Sequence, residues 1–548
     1  MKLTKAAEKT LEKYKDRLEL DLANKNKSII LSKFSEVFPE VSSKIPTDKI
    51  KLMDLWLKAH VDRYFAKIKD FDPQDWEKDA TVYIPIHGHV HLKPELQYLL
   101  NIPILRRCNA IKQLSTAYTI YPGAKHTRDE HQLGTLFIMQ KFCEHLTKEG
   151  AISEDDVLTL EVAALIHDVA HPPLGHSLDT IKEILIPPNE EKISYSYDRK
   201  IDKTLLEIYL TDQNYQLQHA IESIDTVNFN LLKSILFNKS NDDFPIAYGD
   251  LLDSEIDADR LDYLLRDGIH TGKLKSIDVN HIIEHSHFCN IKDNGKTRRS
   301  LAFSEDIVDD LNMFLTERKN MYKQVYEIDE KVILDEVLVH GIFGTLKGHY
   351  GLEKNDTTGK FLLLTDCELN EFLELFSPSS MYNQIYSQLN GEAQYILLNK
   401  YNLRDKNNPE LHKALKEAII TYSKLYGFLS KINDEKEFSD FAGIKVEDLE
   451  IPPILFSLPH YIPSDDDVYE NYEREGKRKR GLKELVLTKS DGSCGYFTDL
   501  STIQKEKDPS LNKFILIGNK KYTNKLDYSI TEKFEEWILS KFGPKIDS

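Results

Sequence analysis

The sequence predicts a mainly α-helical protein whose last part is mixed α+β. Apolar residues recur at three- and four-residue spacing over most of the first part of the chain, as at Leu11, Tyr14 and Leu18, and this pattern is typical of amphipathic helices. Near the C-terminal end the pattern changes, because prolines interrupt the chain and the apolar run 514–517 predicts a strand. Since 548 residues exceed what one hydrophobic core usually holds, we expect two or three domains.

These patterns divide the chain into three segments. Residues 1–80 are expected to form an N-terminal helical extension, residues 81–345 a helical core, and residues 346–548 a mixed α/β region. Two local features stand out within this scheme. Residues 83–88 predict a short extended piece with a turn, and residues 411–429 predict a helix.

Charge and composition narrow the class of function. The formal net charge of -18 repels nucleic acid and anionic membranes, so an anionic substrate must be drawn to local basic residues or to a metal. The five cysteines form no C-x-x-C pair, which is typical of a reducing compartment. No apolar run reaches the roughly 18 residues of a membrane span, and the charged N-terminus lacks a signal-peptide pattern. We therefore expect a soluble, cytoplasmic protein.

An adjacent histidine and aspartate are the first sign of chemistry. His167 and Asp168 directly follow the apolar run 163–166, which predicts a buried helix. Because a buried aspartate is unfavourable unless it is paired or bound to a metal, Asp168 requires a cation. In isolation, such a dipeptide is more often a hydrogen-bonded core histidine followed by a capping aspartate. Its interpretation therefore depends on the residues that accompany it.

Two further residues make a metal site the better interpretation. His131 precedes an apolar helical stretch and can supply a second imidazole. Asp259 lies in the acidic cluster 257–262, whose carboxylates would repel one another without a counter-charge. Two imidazoles and two carboxylates suit a divalent manganese, iron or zinc ion, and magnesium becomes suitable when phosphate completes its shell.

Several of the nineteen histidines crowd the same stretch. His171 falls one helical turn after His167 and on the same face. His176 follows a Pro-Pro-Leu-Gly loop, and Asp179 comes three residues later, near enough to orient the imidazole ring. Packing explains one such histidine well but explains the whole group poorly.

Together these pieces resemble the HD-domain superfamily of phosphohydrolases, whose pattern is a histidine, a His-Asp pair and a distant aspartate. The resemblance is greater to its dNTP triphosphohydrolase branch, which contains dGTPases and SAM- and HD-domain proteins. It is carried by His87-Gly88-His89, by the run from Tyr121 to Arg128, and by the segment 257–267, in the order of that family. Roughly half of the chain is covered. The resemblance implies an HD-domain helical core within residues 81–345.

The resemblance also implies a role for each matching residue. The implied metal ligands are His131, His167, Asp168 and Asp259. The implied catalytic positions on the phosphate side are His176, Asp179, His171 and Arg128, with His176 as the candidate proton donor. The implied substrate-binding positions, beside the deoxyribose or the triphosphate, are Gln113, Leu114, Arg128, Arg260, Tyr263, Asp267, Arg318 and Tyr326.

One feature of the family is missing. Members usually carry a His-Glu pair after the HD helix, but the region from Ser194 to Lys203 contains none, and Tyr197 and Asp198 are the candidates to replace it. Two alternatives therefore stay open: a catalytically silent HD protein that binds nucleotides as a regulator, and a nuclease or other phosphohydrolase of the superfamily. The complete ligand set argues against the first, and the net charge of -18 argues against a nuclease.

The expected reaction is hydrolysis of a deoxynucleoside triphosphate (dNTP) to a deoxynucleoside and triphosphate. The metal would activate water and polarise the phosphoryl oxygen, while the arginines neutralise the triphosphate. The resemblance further implies a homo-oligomer, a tetramer or hexamer, with an activating nucleotide at subunit contacts. The mixed region 346–548 is the natural place for such contacts and for regulation. We expect neither a membrane nor a nucleic acid as a partner.

Overall fold

The computed structural model confirms a mainly α-helical fold with strands concentrated in its later part. It describes residues 49–78, 80–181, 201–212, 215–237, 247–273, 277–293, 296–350, 360–392, 394–402, 408–422, 427–444, 451–458, 485–496, 513–520 and 529–543. Leu11, Tyr14 and Leu18, which suggested an N-terminal helical extension, lie outside these residues. In the described part of the chain, no helix has the length and apolarity needed to cross a membrane.

Thirteen helices of the described chain precede residue 351. They are α1 (Lys49–Val61), α2 (Pro94–Asn101), α3 (Pro103–Arg106), α4 (Arg128–Lys148), α5 (Glu154–Ile166), α6 (Ile201–Tyr209), α7 (Gln216–Glu222), α8 (Phe229–Phe237), α9 (Ala247–Asp250), α10 (Ala258–Thr271), α11 (Val279–Glu284), α12 (Val308–Met321) and α13 (Asp329–Tyr350). The long helix α4 packs against both α5 and α10. This three-helix contact carries the chemistry described below.

Five more helices follow among the described residues, together with most of the strands. These helices are α14 (Asp366–Phe376), α15 (Ser379–Leu389), α16 (Pro409–Tyr422), α17 (Gly427–Phe441) and α18 (Ser529–Phe542). The strands are β1 (Ala80–Ile84), β2 (Gly88–Leu92), β3 (Ser286–Asp293), β4 (Lys296–Ser304), β5 (Tyr395–Asn402), β6 (Ile454–Ser457), β7 (Val486–Thr488), β8 (Cys494–Tyr496) and β9 (Lys513–Asn519).

The strands form three small sheets. β1 and β2 make an antiparallel hairpin in which Tyr83 faces His89. β3, β4, β7 and β8 are neighbours in that order, and only the β4–β7 pair of this sheet is parallel. β9 lies between β5 and β6 and is antiparallel to both. The second sheet therefore joins the segment that follows α11 to strands nearly two hundred residues later.

Local sequence explains how the two helices that matter most for the site begin and end. Every residue from Thr159 to Ile166 of α5 is buried, because this apolar stretch lies inside the core on all sides. Ser153 caps its first turn by accepting the backbone N–H of Asp155. Helix α10 is capped by the Asp257 carboxylate and ends at Gly272, whose φ of 67° suits a left-handed C-terminal cap.

The hydrophobic core does not stop at the boundary predicted near residue 345. One continuous cluster of buried side chains extends from Met53 to Ile517. A second cluster, built around Phe456, Phe534 and Trp537, lies between the sheet of β6 and β9 and helices α16, α17 and α18. Because α13 itself spans residues 345 and 346, the division into domains stays a prediction.

Three local predictions can be compared with the described residues. The extended piece with a turn at 83–88 corresponds to the end of β1 and the start of β2, and the predicted strand 514–517 lies inside β9. Every described residue of the helix predicted over 411–429 is helical, in α16 up to Tyr422 and in α17 from Gly427 onward. Residues 423–426 lie outside the described part of the chain.

A buried network of polar side chains links α13 to α17. The His340 ring and Glu435 are 2.7 Å apart, and Lys431 donates to Glu336 at 2.7 Å. Glu435 also accepts the backbone N–H of Phe456 on β6 at 2.7 Å. All four charged side chains are buried, so each depends on the others to offset its lost hydration.

Removal of the lysine charge should therefore destabilise the junction between α13 and α17. We expect Lys431→Met to lower the free energy of unfolding by about 3 kcal/mol, because two carboxylates lose their cation in a buried setting. The matched control is Lys436→Met on the same helix, whose side chain is partly exposed and which should change stability by less than about 0.5 kcal/mol. Chemical denaturation measures both. Equal losses in the two variants would contradict this interpretation.

Candidate metal centre

Three helix ends meet at the predicted site. His131 lies in the first turn of α4, His167 and Asp168 directly follow the end of α5, and Asp259 lies in the first turn of α10. The packing of α4 against α5 and α10 brings these ends together. Residues that are 128 positions apart along the chain, His131 and Asp259, thereby become neighbours.

The ligand-type atoms of three of these residues form a tight group. One ligand atom each from His131, His167 and Asp259 lies within 4.8 Å of the others. The Asp259 Oδ1 atom is 3.0 Å from Nε2 of His131 and 3.6 Å from Nε2 of His167. Both imidazoles are buried, whereas the Asp259 side chain is 30% exposed, so the group opens toward solvent on the aspartate side.

Asp168, the fourth predicted ligand, lies beside this group. Its Oδ1 atom is 3.4 Å from Nε2 of His167, and its Oδ2 atom is 3.6 Å from Nε2 of His131. The Arg128 guanidinium donates a hydrogen bond to the same Oδ2 at 2.7 Å. Gly175 permits this arrangement, because a Cβ atom there would lie 2.9 Å from Nη2 of Arg128.

Hydrogen bonds on the far side of each ring decide which nitrogen faces the centre. The Nδ1 atom of His131 donates to Asp262 at 2.8 Å, and that of His167 donates to the Ala164 carbonyl at 2.7 Å. Each ring therefore presents its Nε2 lone pair inward, as metal-binding imidazoles do. Nε2 of His167 is buried and makes no hydrogen bond to any described residue. A divalent cation would satisfy this orphaned atom, so the residues fit a metal.

Asp262 is the carboxylate that holds this arrangement. It is fully buried one turn after Asp259 on α10. Besides His131, it accepts from the Arg266 guanidinium at 2.8 and 3.0 Å and lies 2.6 Å from Nε2 of His87. Gly134 on α4 leaves room for this network, because a side chain there would overlap Asp262 and Arg266.

Electrostatics in the centre favours charged partners. Burial alone would lower the pKa of His131, but the Asp259 and Asp262 carboxylates raise it to about 10. Burial would raise the pKa of Asp168, but His171, His167 and Arg128 hold it well below its usual range. These two pKa shifts favour a proton on His131 and a negative charge on Asp168. A metal ion that binds the His131 ring must displace that proton, so metal binding releases it.

A second histidine group lies next to the first. His171 and His176 face each other with their Nε2 atoms 3.3 Å apart. Nδ1 of His176 is 3.1 Å from Asp179, the residue predicted to orient its ring. The structure adds Asp202 from α6, which is buried 3.8 Å from Nε2 of His171. His171, His176 and Asp202 also have one ligand atom each within 4.8 Å of the others.

Asp202 bears on the missing His-Glu pair. Tyr197 and Asp198, the candidates to replace that pair, lie outside the described residues. Asp202 lies in the same stretch of sequence, four residues after Asp198, and is the acidic side chain that the described structure brings to the histidines. Ile201, Leu205 and Tyr209 of α6 are buried in the core. Because these apolar residues face inward, the neighbouring Asp202 side chain is buried with them.

Arg107 fixes the turn that carries His171. Its buried guanidinium donates to the backbone carbonyls of Val169 at 3.2 Å and His171 at 2.7 Å. On its other side it donates to the carbonyls of Leu362 at 2.9 Å and Leu363 at 2.8 Å. Sequence reasoning missed this residue, because a buried arginine bonded to backbone carbonyls leaves no local motif.

Residues predicted to lie on the sugar side cluster around Tyr263. The Tyr263 ring lies 6.4 Å from that of His131 and 6.3 Å from that of Tyr326, measured between centroids. Tyr326 donates to Asp267 at 2.7 Å, and the other Asp267 oxygen is 2.8 Å from Nε2 of His126. Asp267 is therefore bound by two protein groups in this structure.

Gln113 and Leu114, the other two sugar-side predictions, follow the short helical segment that begins at Arg107. Leu114 is buried. The Gln113 backbone N–H donates to the His126 carbonyl at 3.0 Å, which ties it to the segment leading into α4. Its side-chain Oε1 atom is buried and has no hydrogen-bond partner among the described residues.

The two remaining predicted phosphate-binding arginines are already paired with acids. Arg318 donates to Glu255 at 2.6 Å. Arg260 is bonded to the Asp257 carboxylate and to the Ser254 carbonyl. The sequence alone gave no sign of the Glu255 contact, since it joins residues 63 positions apart.

The role of Asp262 can be tested through metal affinity. We expect Asp262→Asn to weaken manganese binding by about 10- to 100-fold, because an amide neither holds the His131 ring as firmly nor supports its basicity. Isothermal titration of metal-stripped protein measures the affinity, and thermal unfolding checks that the variant folds. Asp225→Asn, an exposed position, removes the same charge elsewhere and should leave the affinity unchanged. An unaltered affinity in Asp262→Asn would show that the ring is positioned without this carboxylate.

Comparisons with known proteins agree with this geometry. The HD-domain family model matches residues 128–234, the stretch that runs from α4 into α8. The human deoxynucleoside triphosphate triphosphohydrolase SAMHD1 is 27% identical over 356 residues, covering 58% of this chain and 54% of that protein. Its counterpart from Danio rerio is 23% identical over 322 residues, covering 56% of this chain and 50% of that protein.

A solved structure shows the same fold. The crystal structure of a phosphohydrolase from Bacteroides thetaiotaomicron superposes with a TM-score of 0.54 at 20% identity, covering 80% of this chain and all of that one. The matches to the two SAMHD1 proteins span about half of those proteins' length. HD domains are metal-dependent phosphohydrolase domains, and the histidine and aspartate groups described above could bind a divalent metal. Residues 128–234 therefore match the HD-domain family, and a larger part of the chain is similar to dNTP triphosphohydrolases.

Proposed function

We propose that this protein is a metal-dependent dNTP triphosphohydrolase, which converts a dNTP and water into a deoxynucleoside and triphosphate. One observation carries the proposal: the ligand-type group of His131, His167 and Asp259 lies beside a second group of imidazoles, His171 and His176. A metal site next to proton-carrying side chains is what hydrolysis of a phosphate ester requires. Similarity to proteins named deoxynucleoside triphosphate triphosphohydrolases supports the choice of substrate.

The residues that would hold the metal are the four predicted ones. His131 and His167 offer Nε2 lone pairs, and Asp168 and Asp259 offer carboxylate oxygens. When bound, a divalent manganese, magnesium, iron or zinc ion supplies Lewis-acid polarisation of a phosphoryl oxygen and lowers the pKa of water. Arg128 already fixes the orientation of Asp168, and its charge is close enough to contribute to phosphate binding.

His176 is the side chain best placed to give a proton to the leaving oxygen. Its ring is 41% exposed, so it can reach a bound substrate, whereas His171 is buried behind it. Asp179 accepts from Nδ1 of His176, which leaves Nε2 as the atom that carries and delivers the proton. Nε2 of His171 lies 3.3 Å from that Nε2 atom, and Asp202 lies 3.8 Å from the same His171 nitrogen.

The sugar-side residues suit a deoxyribose. The orphaned Oε1 atom of Gln113 is an acceptor for a sugar hydroxyl, and the adjacent Leu114 side chain offers only apolar surface. Tyr263 and Tyr326 provide an aromatic face, held in place by the Tyr326–Asp267 hydrogen bond. An apolar side chain beside the sugar disfavours an additional 2′-hydroxyl, because that hydroxyl would find no hydrogen-bond partner there.

Assembly and regulation belong to the same proposal. The family resemblance seen in the sequence implies a homo-oligomer, a tetramer or hexamer, whose activity responds to a bound nucleotide. The part of the chain after residue 345 is the proposed location of the subunit contacts. A cytoplasmic location gives such an enzyme access to its substrate pool.

The proposed reaction can be tested directly on purified protein. Each of the four dNTPs is supplied alone and then as a mixture, with manganese or with magnesium, and the products are separated by chromatography. We expect deoxynucleoside and triphosphate in equal amounts. The control is the double variant His167→Ala, Asp168→Ala, in which loss of two ligands should reduce turnover by at least about 100-fold.

The pattern of products separates the alternatives. Turnover only in the mixture would reveal activation by a second nucleotide. Release of pyrophosphate or of a nucleoside monophosphate would keep the HD-domain hydrolase but replace its reaction. If no product forms under any condition while dNTPs still bind, the protein is a nucleotide-binding regulator and the proposed activity is wrong.

A further inference from the structure

The guanidinium groups of Arg260 and Arg318 form a cationic patch that is distinct from the Arg128–Asp168 ion pair. Arg260 extends from the first turn of α10 and Arg318 from the last turn of α12. Both interact electrostatically with Tyr263 and with Glu255. Arg260 also interacts with the candidate ligand Asp259, so the patch adjoins the metal centre. We call Arg260 and Arg318 the arginine pair.

Asp257 and Glu255, the acids that neutralise the arginine pair, differ in their other hydrogen bonds. Asp257 is fully buried and caps α10, accepting the backbone N–H groups of Arg260 and Ser254, each at 2.7 Å. Its carboxylate is thus needed for the helix to begin where it does. Glu255 has one hydrogen bond among the described residues, from Arg318 at 2.6 Å. It can leave Arg318 without undoing a helix cap.

The Glu255–Arg318 contact also lies where a ligand can compete for it. The Glu255 and Arg318 side chains retain 11% and 20% of their exposure, so the pair is partly accessible to solvent. A guanidinium binds carboxylate and phosphate with the same planar fork of N–H donors. A phosphate chain carries more negative charge than one carboxylate, and it can therefore replace the carboxylate on Arg318.

We propose that Glu255 is an affinity-determining residue of the phosphate subsite. Its carboxylate occupies the position on Arg318 that a substrate phosphate takes when it binds. Binding of a phosphate chain then requires exchange of the Glu255 carboxylate for a phosphate group. In the absence of substrate, the Glu255 carboxylate keeps the Arg318 cation paired. The same carboxylate makes weakly charged anions poor ligands. The identification of the phosphate chain as part of a dNTP rests on the proposed function. The exchange of the Glu255 carboxylate for a phosphate group does not.

The test measures binding of inorganic triphosphate to the full-length, manganese-loaded protein by isothermal titration calorimetry. We expect Glu255→Gln to bind triphosphate about tenfold more tightly than the unaltered protein, since no carboxylate competes for Arg318. Glu284→Gln removes the same charge from an exposed position on α11 and should bind as the unaltered protein does. The change in net charge is identical in the two variants, so only the local contact distinguishes them.

A double-mutant cycle tests whether Glu255 acts through Arg318. In the Arg318→Gln background, the further change Glu255→Gln should no longer tighten binding. Equal or weaker binding in Glu255→Gln, tightening that persists without Arg318, or absence of triphosphate binding in every variant would each overturn the proposal. A protein that shows the expected tightening but hydrolyses no dNTP would refute the proposed function and leave the role of Glu255 intact.

Discussion

The Asp262 carboxylate is the interaction on which the candidate centre depends. It is fully buried and is surrounded by the His131 ring, the His87 ring and the Arg266 guanidinium. These groups come from α4, from the turn between β1 and β2, and from α10 itself. An isolated carboxylate would be very unfavourable at such a place, so its partners must be held with it. This requirement joins three chain segments at the point where His131 faces the other ligand-type groups.

The same need for charge compensation extends outward from the centre. Arg128 pairs with Asp168, Arg318 pairs with Glu255, and Asp257 holds Arg260. The whole protein carries a formal charge of -18, yet the candidate centre is bordered by locally balanced ion pairs. Under the proposed function, an anionic substrate would therefore bind by exchange of partners rather than to a uniformly positive surface. Such exchange would make binding selective for ligands with several negative charges.

Much of the centre could be predicted from the sequence, because its chemistry lies in residue type and order. His131, His167, Asp168 and Asp259 were named on that basis, and the structure brings their side chains together, although their role as ligands stays a prediction. That Asp262, rather than another aspartate of the cluster 257–262, holds the His131 ring from behind could not be predicted. Asp259 and Asp262 lie three residues apart on one helix face, and only packing decides that one meets His167 and the other meets His87.

Residues that act through contacts distant in sequence were missed for a related reason. Arg107 binds backbone carbonyls, Asp202 reaches His171 from another helix, and Glu255 meets Arg318 across 63 positions, so none of them belongs to a local motif. The fold was predicted in class but not in detail. The β3–β4 hairpin was not predicted, because it lies within the segment 81–345, whose periodicity predicts helices.

Anomalous X-ray diffraction at the manganese edge, from crystals grown with manganese, tests the metal centre most directly. We predict one strong peak at coordination distance, roughly 2.0–2.3 Å, from Nε2 of both His131 and His167 and from carboxylate oxygens of Asp168 and Asp259. A peak located instead among His171, His176 and Asp202, or no peak within reach of His131 and His167, would contradict the account.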